Sequence, residues 1–346
     1  MNFQQLRSVR ETVRCGFNLT EAAHALHTSQ PGVSRQIREL EDELGIELFA
    51  RLGKRLTGLT APGDHLLPII ERVLLETHNL RQAGREFLAQ EEGLLSIAAT
   101  HSQARYALPI AVQEFRGRFP GVQLHLRQGS PKQVAQMLLD GEADVGIATE
   151  ALGDYPQLVA LPCFRWTHSL IAPPGHPLLE GPLTIERVAA YPLVTYDAGF
   201  TGRTRIDEAF ALAGLAPDFA ITAMDADVIK TYVELGMGVG IVAGIAFEAE
   251  RDVRLRAVDA GHLFGIHLTK LAVRRGVFLR TFIYAFIEAF APTLDRATVE
   301  AALGGGDVDD DDEGTPRTSG TSRTSFDPPD HALPDSHDRR TVLQPA

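Results

Sequence analysis

Apolar positions recur at three- and four-residue steps over residues 1–90 and then give way to short runs bounded by turns. Phe3, Leu6, Val9 and Val13 mark one face of a helix over residues 3–14. Ala22, Ala23 and Leu26 mark a second, shorter helix, with Thr20 placed to cap it ahead of Glu21. The pattern breaks at Thr28-Ser29. A third helix follows, with Ser29 as its cap and Pro31 in the first turn, where no intrahelical donor is lost. Its buried stripe is Val33, Ile37, Leu40 and Leu44. Two short runs, Leu48 to Arg51 and Arg55 to Thr57, flank Gly53-Lys54 and predict a two-stranded wing. Between Ala61 and Gln90, the positions Leu66, Ile70, Val73, Thr77, Leu80, Gly84 and Phe87 alternate four- and three-residue steps. A period near 3.5 predicts a helix that pairs with a second copy rather than one packed into a globular core. Pro68 falls in its early part and predicts a kink or a later start.

From Leu94 onward strands alternate with helices. The predicted order is strand 94–99, helix 103–119, strand 122–126, helix 132–139 and strand 144–148. A similar unit follows Pro162, with strand 193–196, helix 201–213, strand 220–222, helix 227–235 and strand 238–242. The segment 267–273 and the amphipathic helix 278–290 return to the first unit. Repeated β-α-β predicts parallel sheets covered by helices on both faces. The expected architecture is a DNA-binding winged helix-turn-helix over residues 1–60, a long dimerisation helix over 61–92, and a two-lobed α/β effector-binding domain over 93–303. Lobe I would be 93–162 with 266–303, and lobe II 163–265, leaving a cleft between them as in periplasmic solute-binding proteins. Beyond Ala301 a triple glycine, an aspartate run and Ser/Thr/Pro-rich sequence predict a disordered acidic tail over 304–346.

Length and composition agree with that division. The chain has 346 residues, 44% of them hydrophobic, enough for two or three cored domains. Arg7 and Arg10 are not followed by an apolar run, and no stretch approaches a membrane span, which predicts a cytoplasmic protein. Cys15 and Cys163 fall in different predicted domains and are expected to be reduced thiols. No Cys/His cluster has metal-ligand spacing, so neither metal nor cofactor is expected. A net charge of −12 looks wrong for a DNA binder until it is divided. Residues 1–60 hold eight Lys/Arg against seven Asp/Glu, the tail from Ala301 four against ten, and the middle carries the remaining −7. The cations of the first domain are few, but they sit in the third helix and the wing. One such domain binds weakly, so a dimer is expected to bind DNA.

The third helix offers what a major groove accepts, small polar groups and arginine near a helix N-terminus. The candidates are Thr28, Ser29, Gln30, Pro31, Ser34, Arg35 and Arg38, with Arg51, Lys54 and Arg55 of the wing placed for phosphates. The stretch TSQPGVSRQIRELEDELGIELFAR (28–51) resembles the winged helix of LysR-type transcriptional regulators, and the likeness runs from Phe3 to Thr60. It implies promoter DNA as partner, pairing through the linker helix, a homodimer or homotetramer, contact with RNA polymerase, and no membrane.

Four polar segments stand where strands end or helices begin: Thr100 to Gln103, Gln128 to Pro131, Thr149-Glu150 and Gly199 to Gly202. Ligands of open α/β sheets bind beyond the strand ends, and helix starts favour anions. None of the four segments holds a lysine or arginine, which suits a fully ionised small oxyanion held by neutral donors. Against this, each hydroxyl could simply cap its own helix. The segments ATHSQARYALP (99–109), QGSPKQ (128–133), ADVGIATEAL (143–152), LPCFRW (161–166), YPLVTYDAGFTGR (191–203) and DADVIKTYVELGMGVGI (225–241) resemble the CysB/Cbl branch of the LysR family. That resemblance implies control of sulfate assimilation and cysteine biosynthesis genes. It implies an effector such as sulfate, thiosulfate, N-acetylserine or O-acetylserine, with contacts on Thr100, Ser102, Gln103, Thr149 and Thr201. A paralogous regulator of sulfonate or sulfate-ester use is the near alternative. A transport-type oxyanion-binding protein of the same architecture would leave residues 1–90 without a role. Enzyme motifs are missing: there is no nucleophile elbow and no phosphate loop, and Gly236 to Gly240 precede and enter a strand rather than open a helix.

Overall fold

The computed structural model describes residues 1–53, 55–88, 92–200 and 202–305. The tail expected to be disordered lies outside these residues from 306 onward, as do Lys54 and Thr201. The head begins with helices α1 (Phe3–Arg14), α2 (Leu19–Ala25) and α3 (Gln30–Leu44), followed by strands β1 (Phe49–Leu52) and β2 (Arg55–Leu59), which pair antiparallel. Leu6, Val9, Ala22, Ala23, Val33, Ile37, Leu40, Leu48, Phe49 and Leu56 close its core. Two details depart from the sequence reading. The cap of α2 is Asn18, not Thr20; its Oδ1 accepts from the amides of Thr20 and Glu21 at 3.0 and 3.3 Å. The buried stripe of α3 takes in Glu41, while Leu44 stays 41% exposed.

Helix α4 (Ala61–Leu88) leaves the wing and runs through Pro68. The proline removes the donor to the Asp64 carbonyl, and both residues are exposed, so water can take that carbonyl. The predicted seam divides. Ile70 is buried in the head's own core, next to Leu74 outside the seam and with Leu66 packed beside it, whereas Leu80 and Phe87 are 75% and 91% exposed. Further on, α4 rests on the effector domain: Asn79 Nδ2 donates to the Gly276 carbonyl at 2.8 Å, and Glu86 accepts from Arg280 Nε and the Thr281 amide, both at 3.1 Å.

The effector domain continues β3 (Gly93–Ala99), α5 (Leu108–Arg118), β4 (Val122–Gln128), α6 (Pro131–Asp140), β5 (Val145–Thr149), β6 (Leu158–Ala172), α7 (Ile185–Ala189) and β7 (Leu193–Tyr196). Then come α8 (Arg203–Leu212), β8 (Phe219–Ala223), α9 (Ala226–Glu234), β9 (Val239–Ala243), β10 (Arg256–Asp259), α10 (Gly261–Phe264), β11 (Ile266–Arg274), α11 (Thr281–Phe290) and α12 (Arg296–Leu303). The strands form one sheet in the order β4-β3-β5-β11-β6-β9-β7-β8, with β10 beside β6. The sheet is mixed rather than parallel. β3 runs parallel to β4 and β5, and β7 parallel to β8 and β9, but β6 and β11 pair antiparallel and stitch the two halves together. β6 changes partner midway, from β11 up to Thr167 to β9 from His168. The sequence predicts a unit boundary at Pro162. It lies inside β6, where the register slips at Cys163, because a proline cannot donate to the ladder and a bulge accommodates it.

In the first half of the sheet, Ala98, Ala148 and Ala272 face α6, packing on Val134, Ala135 and Leu138. Ile97, Ile147, Leu271 and Val273 face α5 and α11. This alternation is the two-faced burial that adjacent strands between helix layers require. The far end of α6 meets the head: Arg14 of α1 donates to the carbonyls of Leu139 and Asp140 at 3.2 Å each and pairs with the Asp140 carboxylate at 3.0 Å.

Candidate functional site

Two regions concentrate polar chemistry. The first is the outer face of α3 with the wing. Ser29 Oγ caps α3, accepting from the Gly32 amide at 3.2 Å. A Cβ on Gly32 would stand 3.2 Å from that oxygen and 3.3 Å from Thr28 Oγ1, so the turn hydroxyls crowd the start of the helix. Thr28, Gln30, Pro31, Arg35 and Arg38 are exposed and Ser34 is half-buried. Arg35, Arg38 and Arg55 make no ion pair among the described residues, which leaves their guanidinium groups to solvent or a ligand. Arg51 is differently employed. The carboxylate of Glu41, 7% exposed, accepts from the amides of Leu48 and Phe49 at 2.8 and 3.2 Å, and its second oxygen takes Arg51 Nη2. Arg51 thus ties the wing to α3, and the cation of the described wing without an ion pair is Arg55.

The second region lies where β3 and β5 end side by side, with the Thr100 amide donating to the Ile147 carbonyl at 3.1 Å. Thr100, Ser102 and Gln103 are each 1% exposed and Thr149 is 6% exposed. Gln103 Nε2 donates to Thr269 Oγ1 of β11 at 2.9 Å, beside the bulge in β6. Thr100 Oγ1, Gln103 Oε1 and Trp166 Nε1 are buried without a protein partner, and the Ser102 hydroxyl is buried beside that of Tyr196. Ser130, by contrast, is a true cap: its Oγ accepts from the Gln133 amide at 3.3 Å and closes a capping box on α6. Ser102 and Thr149 make no such bond. Capping therefore accounts for Ser130 but not for the hydroxyls at the strand ends. A buried polar group left unpaired costs about 1–3 kcal/mol, so a cluster of them calls for a ligand rich in hydrogen-bonding atoms.

Around Gly202, which closes one of the four polar segments, stand residues the sequence did not single out. Gly202 caps α8 at φ 70°, and a Cβ there would stand 2.5 Å from His168 Cε1 and 2.9 Å from His267 Cε1. The start of α8 is thereby seated on two buried imidazoles, whose Nδ1 (His168) and Nε2 (His267) are 3.1 Å apart. Trp166 stacks on His267 with ring centroids 4.4 Å apart. Nearby, Tyr196 Oη accepts from the Ala243 amide at 3.0 Å, and burial pushes its phenol up to about 12, so it stays neutral at physiological pH. A signal for Trp166 and His168 did exist, since they alternate on one strand, but that strand was hidden by the break read at Pro162.

A helix-turn-helix head joined by a long helix to a mixed α/β domain is the architecture of a transcription regulator. Residues 3–64 match the model for the bacterial regulatory helix-turn-helix protein of the lysR family, and residues 88–295 match the LysR substrate binding domain. The chain belongs to the LysR family of transcriptional regulators, a family of DNA-binding proteins rather than enzymes. It is 56% identical over 306 residues to the HTH-type transcriptional regulator CysB of Burkholderia cenocepacia, covering 88% of this chain and 98% of that protein. It is also 56% identical over 304 residues to SsuR of the same organism, covering 88% and 99%. The regulator cbl of Escherichia coli is 52% identical over 289 residues, covering 83% and 92%. Among solved structures, the cofactor-binding domain of the Cbl regulator aligns with TM-score 0.59 and 45% identity, over 62% of this chain and 95% of that one. Full-length CbnR complexed with its target DNA shares the fold at TM-score 0.51 and 22% identity, over 84% and 99%.

Proposed function

We propose that this regulator controls sulfate assimilation and cysteine biosynthesis genes in response to a small effector bound among Thr100, Ser102, Gln103, Thr149 and Thr201. The observation that carries this reading is the group of buried polar atoms without a protein partner just beyond the end of β3, Thr100 Oγ1 and Gln103 Oε1 among them, with Trp166 Nε1 on β6. Sulfate at neutral pH has no proton to give and needs only donors, which hydroxyls supply. Gln103 adds selectivity. The Thr269 hydroxyl can serve either end of the Gln103 amide, so that side chain can present an acceptor to the amide N–H of N-acetylserine or a donor to sulfate or thiosulfate. α3 and the wing bind promoter DNA through Gln30, Ser34, Arg35, Arg38, Lys54 and Arg55. The exposed second half of α4 pairs with a partner copy, and the dimers associate to tetramers that engage RNA polymerase. A second reading, a regulator of sulfonate or sulfate-ester use, keeps the same cleft; equal identity to CysB and SsuR of one organism favours testing both.

Thr100→Val removes a hydroxyl while keeping the shape of the side chain. Sulfate affinity is expected to fall about tenfold or more, the worth of a hydrogen bond to a charged group. Isothermal titration reads this directly, and an unchanged affinity would remove Thr100 from the site. For the DNA side, fluorescence anisotropy on a sulfate-uptake or cysteine-biosynthesis promoter is expected to show salt-sensitive binding that N-acetylserine alters. Arg35→Ala should reduce that binding to the non-specific level. Binding insensitive to N-acetylserine would move the effector to another sulfur compound.

A further inference from the structure

Tyr106 and Asp227 meet across the cleft from opposite lobes. Tyr106 lies in a five-residue π-helical turn, Gln103–Ala107, whose first residue is the Gln103 of the cleft. Such turns carry an extra residue per turn and gather at functional sites. Asp227 lies in the first turn of α9 in the second lobe. The Tyr106 hydroxyl donates to Asp227 Oδ1 at 2.6 Å, and Arg105 Nε stands 3.4 Å from Oδ2. Lys230, 6% exposed, lies 3.2 Å from Asp227 and 3.0 Å from Asp252, donates to the Ala246 carbonyl at 3.0 Å, and sits 5.1 Å from the Tyr106 ring centre. Two cations face two carboxylates, so the cluster is close to neutral, and its most buried charge is paired on two sides.

Burial, and then the neighbouring carboxylate, push the Tyr106 phenol well above its ordinary range, so it remains a donor. Burial raises Asp227, but the hydrogen bonds from Tyr106 and Lys230 outweigh it and hold the carboxyl below its ordinary range, so it remains an acceptor. Gln103 and Tyr106 ride on one turn. A ligand that fixes Gln103 therefore fixes the direction of Tyr106.

We propose that the Tyr106–Asp227 hydrogen bond is a positioning clasp that holds the lobes closed over the Thr100–Gln103 subsite, so that effector affinity includes the free energy of this contact. The proposal rests on the reading of that subsite as an oxyanion site. Effector binding and clasp closure favour each other, because each stabilises the same lobe arrangement. Neither clasp residue touches the effector.

The chain's single tryptophan, Trp166, lies on the strand that joins the lobes and reports cleft closure by its emission. Full-length wild type, Tyr106→Phe, Asp227→Ala and the double variant are titrated with sodium sulfate, with thermal midpoints recorded in its absence. Wild type is expected to bind with a change in Trp166 emission. Tyr106→Phe should bind about fivefold more weakly, a charged hydrogen bond discounted for the partial exposure of Asp227, with an unchanged midpoint. The double variant should lose no more than the weaker single variant, since both remove one contact. Unchanged affinity in Tyr106→Phe, additive losses, or a lowered midpoint with intact affinity each overturn the clasp while leaving the oxyanion site standing. No sulfate binding by the wild type overturns the oxyanion reading, and the clasp with it.

Discussion

Replacing Gly63 with alanine is expected to weaken operator binding by up to about a hundredfold while leaving the cleft able to bind its effector. Gly63 is buried in the first turn of α4, and a Cβ there would stand 2.1 Å from the Leu48 carbonyl oxygen and 3.0 Å from its carbon. Both obstacles are backbone and cannot rotate away. The same carbonyl accepts from the Thr60 amide at 3.0 Å, and Thr60 Oγ1 donates to the Glu47 carbonyl at 2.6 Å and accepts from the Gly63 amide at 3.1 Å. Leu48 is held from its other side by Glu41, which also holds Arg51. An added methyl must therefore push α4 off the wing or pull the wing from α3. Overpacking costs about 1–3 kcal/mol, and here the strain falls on the joint that orients the recognition helix against α4. At the upper end that is about a hundredfold in operator affinity. Anisotropy on promoter DNA measures it, with sulfate calorimetry as the internal control. Wild-type DNA affinity in the variant would show that the joint yields without moving the head.

Phe286→Ala should produce the largest loss of stability. Phe286 is fully buried on α11, and its ring meets Phe115 edge to face at 5.7 Å; Phe115 in turn stacks on Phe119 at 5.3 Å. Removing a buried phenyl costs about 3–5 kcal/mol through lost transfer energy and the cavity left behind. For a domain of this size the melting midpoint should fall by about 10 °C. Thermal unfolding followed by circular dichroism tests this. A drop below about 2 °C would mean that α5 closes over the gap.

The helices of the head were legible because their signals are local. Capping residues and apolar stripes act within one or two turns, and the structure departs from them by single positions: Asn18 for Thr20, Glu41 for Leu44. Glu41 was illegible as a buried acid because its partners, the Leu48 and Phe49 amides and Arg51, come from chain beyond its own helix. The same limit applied to β6. Its central partner, β11, lies more than ninety residues away, and Pro162 supplied a local reason to end the strand that a bulge overrides. Thr100, Ser102, Gln103 and Thr149 could be singled out because strand ends are where an open sheet exposes polar groups. Trp166 and His168 carried only their alternation, which the break expected at Pro162 obscures, and His267 joins their face only once β6 and β11 are paired.

That pairing also sets the order in which the chain can mature on the ribosome. The head and the second lobe are built from contiguous stretches and can consolidate as they emerge. The first lobe cannot, because Phe115 and Phe119 wait for Phe286, and β5 waits for β11. At about 5–20 residues per second, those partners arrive roughly ten to thirty seconds later. Through that interval β5 has an open edge and α5 an uncovered apolar face. The nascent regulator can hold a finished DNA-reading head well before it has a cleft with which to sense anything.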